Sequence, residues 1–562
     1  MSHRASDVAL TAAPTGRSPH AYTTLTVVCL GVFMLLLDMT IVSAALADIQ
    51  SDLSADLSGL QWVVDGYALP MAAFLLTAAT LGDRLGRKRM FLVGLTIFVA
   101  ASLGCAMAGD ITTLDAVRAA QGFGGAIMLG VSLPMIASAF PIGNGRSTAI
   151  AIYGAVMGAG SAAGPLLGGA LVDAFGWPSI FLVNIPLGVI ALVVASWRVQ
   201  ESLGDTTRKI DIVGTITLSI TLVAAVYAII EGNAKGWTSP LILGLFALAA
   251  VFAVLFVLWE SRAADPLMDL QVVRRPGFAG VSLAAFITSG TLIAATNYLA
   301  LYFMNTLGFT PFEAGVRALP LTIACVAGAP LGMVATKKLA MHHVVPLSTA
   351  LIAAGLWAMT GISADTGWTH FITGSIIAGL GVGMMSAIAS DAALTFVRED
   401  DAGMATGVVS TARQVGTVIG IAGMGALFTH FATSHARDDL SGLTIAGQPV
   451  DVPAAESTAI TDGLGSGAGL QILRFIPDQF AAAVPEITRV VRESSAAGLQ
   501  AALLAAAAAA TVFTIVVYAL IRSDRARVAP TDLEVPTATT AATDHAPGEE
   551  PHVHHPAHSR SH

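Results

Sequence analysis

The sequence predicts an all-α membrane protein: two bundles of six spanning helices, with two further helices inserted between them. Three observations predict it. The chain is 55% hydrophobic and only 12% charged, with a mean hydropathy of +0.74, far more apolar than a soluble fold of 562 residues requires. Its apolar residues fall into fourteen stretches close to the ~20 residues that cross a bilayer as a helix. Finally, there is a faint internal repeat. The basic loop at 82–89, after the second stretch, is echoed by Lys337 and Lys338 after the tenth. The glycines of the fifth stretch (Gly160, Gly164, Gly168) are echoed in the thirteenth by Gly403, Gly407, Gly416 and Gly420. Parallel repeats of six helices are a transporter pattern.

In chain order, residues 1–22 form a polar tail with no compact apolar core before a cleavage site, so the first spanning helix is expected to direct insertion. The first bundle covers 23–197, with spans at 23–46, 60–80, 90–108, 113–138, 147–172 and 178–197. The inserted pair follows at 211–230 and 239–260, the former with a weak start at Asp211. The second bundle covers 279–521, with spans at 279–305, 313–336, 344–363, 368–397, 403–430 and 499–521. Between its last two spans lies an insert, 431–498, whose Gly/Ser/Asp-rich centre reads as loop. Phe480, Val484, Ile487 and Val491 near its end repeat at about 3.6 residues and suggest a short amphipathic helix, against which Pro485 argues. From 524 to 562 the chain is polar and ends in a His-rich tract, a composition expected to be disordered; a metal-binding role is the alternative to a plain solvated tail. Cys29, Cys105 and Cys325 all lie in apolar segments and read as small buried hydrophobes, which indicates neither a disulfide framework nor a metal site.

An even number of spans puts both termini on one side, and most of the 28 Lys and Arg residues lie on that side, in loops such as 84–89, 198–209, 262–275 and 337–338. By the positive-inside rule both termini are cytoplasmic. The loop after the first span, with Asp48, Asp52 and Asp56, is then external. No asparagine begins a glycosylation sequon, in keeping with a bacterial plasma membrane.

Charged residues within a bilayer are costly, so each asks for a partner and a purpose. Asp38 lies ~12 Å below the outer end of the first span, and Arg118 ~8 Å below the outer end of the fourth, at 1.5 Å per residue. The depths match. Such a pair suits proton exchange, because protonating Asp38 would weaken it; a static pair that only fixes two helices is the alternative. A buried ion pair is weak evidence for stability alone, which favours exchange. Asp65 lies at a similar depth and either joins this cluster or faces external water. Asp391 on the twelfth span sits nearer the cytoplasmic side, where it would meet a cationic substrate or accept a proton; Arg413, with Gln414 beside it, is deep in the thirteenth, and these three with Asp65 are candidates to line a substrate cavity. In the loop Leu81 to Arg89, four bases serve as a topological anchor, whereas Asp83 asks for another reason: it accepts from Arg87 or from a helix N-terminus. Gly160, Gly164 and Gly168 make a bare stripe that lets another helix approach to backbone distance, with Pro165 set inside it.

These residues carry a resemblance. The run Leu81, Asp83, Arg84, Gly86, Arg87, Lys88 is similar to the signature loop of the major facilitator superfamily, with Ala79 in place of its first glycine. Leu114, Arg118, Gln121, Gly122 and Gly124 resemble its helix 4 motif, and Gly160, Gly164, Pro165, Gly168 and Gly169 resemble its antiporter motif. Leu37 to Val42, with Ala45 and Leu46, resembles the first helix of the fourteen-helix drug:proton antiporter family, with Ser43 for the usual Asn and Ala47 for the usual Pro. Trp177 and Phe181 to Pro186 resemble that family too, as do Arg413, Gln414 and Gly416. The resemblance implies a major facilitator fold and export of lipophilic drugs or antibiotics in exchange for protons. Asp38 and Arg118 would couple the proton, Asp83 and Arg87 would gate the cytoplasmic side, and the glycine stripe would form a flexible, leak-proof seam. A dedicated exporter of a lipid, siderophore or other metabolite is the alternative. Members of that family that favour divalent cations often carry an acid in the tenth span; here it holds none within the membrane, since Glu313 lies at its outer end, so the resemblance implies neutral or monovalent compounds.

The chain has no HExxH, Gly-x-Ser-x-Gly or nucleotide-binding loop, so the expectation is no enzyme, no catalytic residue and no cofactor, with energy drawn from a proton gradient. The expected partners are protons, a lipophilic small molecule and the bilayer, without nucleic acid, for a monomer.

Overall fold

The computed structural model describes residues 20–527, apart from 141–143, 205–208, 396–401, 442–443, 446–447, 450–453, 466, 468 and 471–483. The N-terminal tail before His20, Phe480 and the His-rich tail lie outside the described residues.

Among the described residues, fourteen helices of 15 residues or more carry the chain. The first six are α1 (Ala21–Ile41), α2 (Leu57–Leu85), α3 (Arg87–Ala106), α4 (Ile111–Ala139), α5 (Asn144–Phe175) and α6 (Asn184–Arg198). The inserted pair is α7 (Ile212–Lys235) and α8 (Pro240–Glu260). The last six are α9 (Pro276–Leu301), α10 (Leu319–Lys338), α11 (Met341–Ala358), α12 (Phe371–Thr395), α13 (Ala402–Ser441) and α14 (Val484–Arg527). All but α5 meet the length and apolarity of a membrane span over described residues, α6 doing so together with the short helix Ser179–Leu182 before it, and α5 contributes two shorter apolar stretches, Thr148–Met157 and Ala163–Phe175.

Polar side chains set the starts of several helices by accepting from backbone N–H groups that have no partner inside the helix. Asp56 caps α2 through Gly59 N at 2.8 Å, Asp110 caps α4 through Thr113 N at 2.8 Å, and Asp211 caps α7 through Gly214 N at 2.7 Å. Asp211 is thus the start signal of α7 rather than a weakness in it, and its carboxylate also accepts from Trp259 Nε1 of α8 at 2.8 Å.

The repeat is visible in how helices pair. Within the first bundle α2 packs on α4, α3 on α4 and α1 on α5; within the second, α10 packs on α12, α11 on α12 and α9 on α13. Glycines allow this closeness. A Cβ on Gly94 of α3 would stand 2.8 Å from Gly124 O of α4, and one on Gly355 of α11 would stand 2.5 Å from Ala378 N of α12. The inserted α7 lies along the junction of the bundles, with Leu222, Val226 and Ile230 against Ala68, Leu69 and Ala72 of α2 and Val418 and Ala422 of α13. Asn233 Nδ2 donates to Ala426 O at 2.7 Å, and the Thr77 and Thr215 hydroxyls meet at 2.6 Å. The second inserted helix, α8, turns Leu241, Leu248, Val251, Leu255 and Leu258 outward, an apolar surface suited to lipid.

The insert between α13 and α14 differs from expectation. Much of it is helix: α13 runs on to Ser441, and α14 begins at Val484, so the amphipathic stretch and the last span are one continuous rod. Pro485 stands in the first turn, where a missing N–H costs nothing, and Ile487, Val490 and Val491 are buried. A further helix, Ala454–Gly465, packs on α13, with Thr429 Oγ1 donating to Gly465 O at 3.0 Å.

Candidate transport site

Asp38, in the last turn of α1, is fully buried, as is Arg118 in the second turn of α4. The Arg118 guanidinium donates through Nη1 to Asp38 Oδ2 and, at 2.7 Å, to Gln121 Oε1, and through Nε to Val63 O of α2 at 2.9 Å. The other Asp38 oxygen accepts from Gln121 Nε2 at 2.9 Å and from Asn184 Nδ2 of α6 at 2.8 Å. Gln121 Nε2 also donates to Ser102 Oγ of α3 at 2.8 Å. The rings of Tyr67 and Phe181 stand 4.4 and 5.6 Å from the guanidinium carbon, so the cation is held between aromatic rings as well as by its carboxylate. One carboxylate and one guanidinium therefore tie together α1, α2, α3, α4 and α6, away from solvent. In such surroundings charge and hydrogen bonding are tightly linked: adding a proton to Asp38 removes an acceptor from Arg118, which must then find another.

Sequence reasoning matched the depths of Asp38 and Arg118, and the structure brings them together. Gln121 and Asn184 lay within the quoted motifs without an assigned contact. Ser102 was missed, and its only signal was a polar residue in an apolar span.

Asp65 departs from both expectations. It is fully buried, so it does not face external water, and neither carboxylate oxygen has a hydrogen-bond partner among the described residues, so it does not join the Asp38 cluster. The neighbouring Gly66, not Asp65, faces α4, near Asp115 O and the Arg118 side chain. Asp65 is instead within electrostatic range of Tyr298 on α9. The Asp391 side chain lies outside the described residues. Arg413 is partly exposed and lies within electrostatic range of Tyr153 on α5, while Gln414 beside it is buried with Oε1 unpartnered among the described residues.

In the loop between α2 and α3, Asp83 accepts from Arg87 Nε at 2.9 Å and pairs with Nη2 at 2.7 Å, which decides between its two expected donors. Arg87 Nη1 also reaches Pro134 O of α4 at 3.3 Å. Gly86 makes the reversal at φ +108°, where a side chain would be strained. The N-terminus of α3 is capped by Glu201, unrecognised in the sequence, whose oxygens accept from Lys88 N at 2.9 Å and Arg89 N at 3.2 Å. Lys88 Nζ donates to Ser196 O at 2.8 Å, and Arg84 belongs to the last turn of α2. A strap after α6 thus crosses the loop, with Arg87 N to Ser202 O and Gly204 N to Asp83 O both at 3.0 Å.

The glycine stripe of α5 meets α1. A Cβ on Gly160 would stand 2.9 Å from Phe33 O, one on Gly164 would overlap Thr40 Oγ1, and one on Gly168 would stand 2.8 Å from Ile41 O. Pro165 and Gly169, further along α5, meet the short helix Pro311–Arg317 that leads into α10. Here the two bundles are tied at the end where α1 leads into α2. Asp173 accepts from Thr310 Oγ1 at 3.0 Å and Phe312 N at 3.2 Å, Asn305 Nδ2 donates to Gln50 Oε1 at 3.1 Å, and Gln61 Nε2 donates to Tyr298 Oη at 2.9 Å. A cavity of about 40 Å³ between Ser43, Pro165, Thr296, Arg317 and Ser375 remains in this closure, room for water but not for a drug-sized molecule.

The chain matches the Major Facilitator Superfamily over residues 28–421. It belongs to that superfamily. This major facilitator protein is 36% identical to the multidrug resistance protein Stp of Mycobacterium tuberculosis (strain CDC 1551 / Oshkosh), over 71% of its own length and 74% of that protein's. It is 32% identical to the tetracenomycin C resistance and export protein of Streptomyces glaucescens, over 92% and 94% of the two chains. Its fold is similar to that of a bacterial homologue of the human lysosomal transporter Spinster, solved inward-facing and unoccupied, at a TM-score of 0.58 and 17% identity, covering 91% of this chain and 99% of that one. The major facilitator protein is a multi-pass bacterial transporter of the drug-efflux type, and not an enzyme.

Proposed function

We propose that this transporter exports lipophilic drugs or antibiotics across the bacterial plasma membrane in exchange for protons, with both termini cytoplasmic and the monomer as the working unit. The observation that carries the reading is the buried knot around Asp38. A carboxylate that accepts from Arg118, Gln121 and Asn184 at once joins three donors from two other helices in one buried network. Protonated, it leaves the Arg118 cation short of a partner, a state that favours another packing of α1 against α4. Proton binding is thereby linked to conformation, which is what an antiporter needs.

The remaining residues take roles within that cycle. Asp83, Arg84, Gly86, Arg87 and Lys88 form the cytoplasmic gate, clamped by Glu201 in the outer-closed state. Gly160, Gly164, Pro165, Gly168 and Gly169 form the seam on which α5 moves past α1 without opening a leak. Asp65, Asp391, Arg413 and Gln414 line the path of the substrate. The relatives named for multidrug resistance support drug export. A second reading, export of a compound made by the cell, is supported by the tetracenomycin C export protein, which aligns over nearly the whole chain.

Purified protein in proteoliposomes, offered a panel of lipophilic antibiotics and dyes, tests the proposal. Wild type should move protons when substrate is added and should lose concentrative transport in the presence of a protonophore. Asp38→Asn should abolish the proton movement; normal coupled transport in that variant would sink the assignment.

A further inference from the structure

Asp211, which caps α7, and Glu260, the last residue of α8, meet where the inserted pair of helices begins and ends. Both are buried, at 9% and 3% exposure. One oxygen of each carboxyl group is engaged: Asp211 Oδ1 accepts from Gly214 N at 2.7 Å and from Trp259 Nε1 at 2.8 Å, and Glu260 Oε2 accepts from Met268 N at 3.2 Å. The other two, Asp211 Oδ2 and Glu260 Oε1, are buried without a hydrogen-bond partner among the described residues. They border the same place, since a Cβ on Gly214 would stand 2.5 Å from the first and 2.6 Å from the second. The two carboxyl groups are within hydrogen-bonding reach of one another.

Neither group forms an ion pair among the described residues. Lys209, Arg262, Arg274 and Arg275, the basic residues near them in sequence, are exposed. On the segment after α8, Asp269 accepts from Gln271 N at 2.8 Å and Asp265 is half-buried. From α2 comes the Thr77 hydroxyl, on Thr215 at 2.6 Å. Two acceptors that face each other in a buried site repel when both groups are charged, whereas one proton between them turns one acceptor into a donor and satisfies both. Asp211 has two N–H donors on its engaged oxygen and suits the charge; Glu260 has one and suits the proton, donated from Oε1 to Asp211 Oδ2. We infer that Asp211 and Glu260 form a proton-binding site, an acid–carboxylate pair that holds one proton where α7 and α8 meet. No step of the export cycle uses it. The pair also fastens the segment leading to α9, because Glu260 holds Met268 N while Leu267 and Val272 pack among Phe256 and Phe278. Loss of the proton to water leaves two negative charges in contact, which parts α7 from α8 at this end and frees that segment. By the orientation proposed above this end is cytoplasmic, so the site reads the pH of the compartment that transported protons enter.

Infrared difference spectra of the purified protein in nanodiscs, taken from mildly acidic to alkaline pH with and without EDTA, test the site without substrate or gradient. Their outcome is therefore separate from that of the export cycle. Wild type should show a carboxylic-acid carbonyl band at neutral pH that is lost on going alkaline. Glu260→Gln, whose amide donates permanently to Asp211, should lack that band, and Asp38→Asn should keep it. Hydrogen–deuterium exchange of residues 261–275, compared at one alkaline pH, should be about fivefold faster in wild type than in Glu260→Gln. Absence of a titrating acid band in wild type would overturn the inference even if the variant failed to fold. So would a band unchanged in Glu260→Gln. A wild-type band that appears only after EDTA is added would show that the pair holds a metal cation, and would overturn the shared proton.

Discussion

Asp38 has donors on two different helices, Gln121 on α4 and Asn184 on α6, besides its ion pair, and these can be removed one at a time. Asn184→Leu keeps the volume close to native but leaves Asp38 Oδ1 with a single donor and deprives the centre of a polar contact from α6. A hydrogen bond to a buried charge is worth ~1.5–3 kcal/mol, so the unfolding free energy should fall by about that amount. Thermal unfolding of the purified protein checks it, and an unchanged midpoint would show that Asn184 is incidental to the knot. Legibility at this scale followed charge. Asp38 and Arg118 stood out because ionisable residues in apolar spans are rare, and depth alone matched them. Ser102 could not be matched in the same way, because uncharged polar residues occur in most of the spans and their direction depends on helix rotation. Asp65 shows the limit of depth as a guide: it has nearly the right height for the Asp38 cluster, yet its buried carboxylate has no hydrogen-bond partner among the described residues.

At the scale of elements, the glycine stripe of α5 makes the clearest prediction. A side chain at Gly164 would overlap the Thr40 hydroxyl, with the Thr40 carbonyl carbon only 2.8 Å from its first atom. Thr40 has no easy retreat, since its hydroxyl already donates to Leu36 O at 3.0 Å. Gly164→Leu should therefore separate α1 from α5 and abolish transport while the protein still inserts in the membrane. Membrane-fraction abundance and efflux of a fluorescent substrate, measured side by side, check both halves; normal export by that variant would reduce the seam to ordinary packing. The ends of elements were less legible than their centres. The expected break between the amphipathic stretch near 484 and the last span is absent because Arg489 to Ser495, polar enough to look like loop, lies in a helix that continues outside the apolar span against α13.

At the scale of the whole molecule, the end at which the two bundles are tied carries an acidic rim of Asp48, Asp52 and Asp173. Asp48 is partly buried, and burial raises its pKa above the usual carboxylate value, with Asp173 and Asp52 adding to the shift by repulsion. A carboxyl group with a raised native pKa binds its proton more tightly folded than unfolded. Its contribution to stability is fully present below its ordinary value of 3.8 and is lost as the pH rises through the raised native value. Asp48→Asn removes the charge at every pH. Its unfolding midpoint at neutral pH should exceed that of wild type by an amount equivalent to under ~1 kcal/mol, and the difference should shrink in acid. A difference that grows in acid would show that the Asp48 charge is stabilising instead.

The sequence by itself determined the class of fold and the matched depths of Asp38 and Arg118, because a bilayer imposes strict costs on length, apolarity and charge that leave a readable mark on the chain. Tertiary structure alone decided which uncharged residues complete the Asp38 knot, that Glu201 clamps the loop between α2 and α3, that α7 covers the junction of the bundles, and that Asp65 is buried without a hydrogen-bond partner among the described residues. Those contacts join residues tens to hundreds of positions apart. They depend on how each helix is rotated about its axis, which shape complementarity between neighbours sets and no local pattern of residues records.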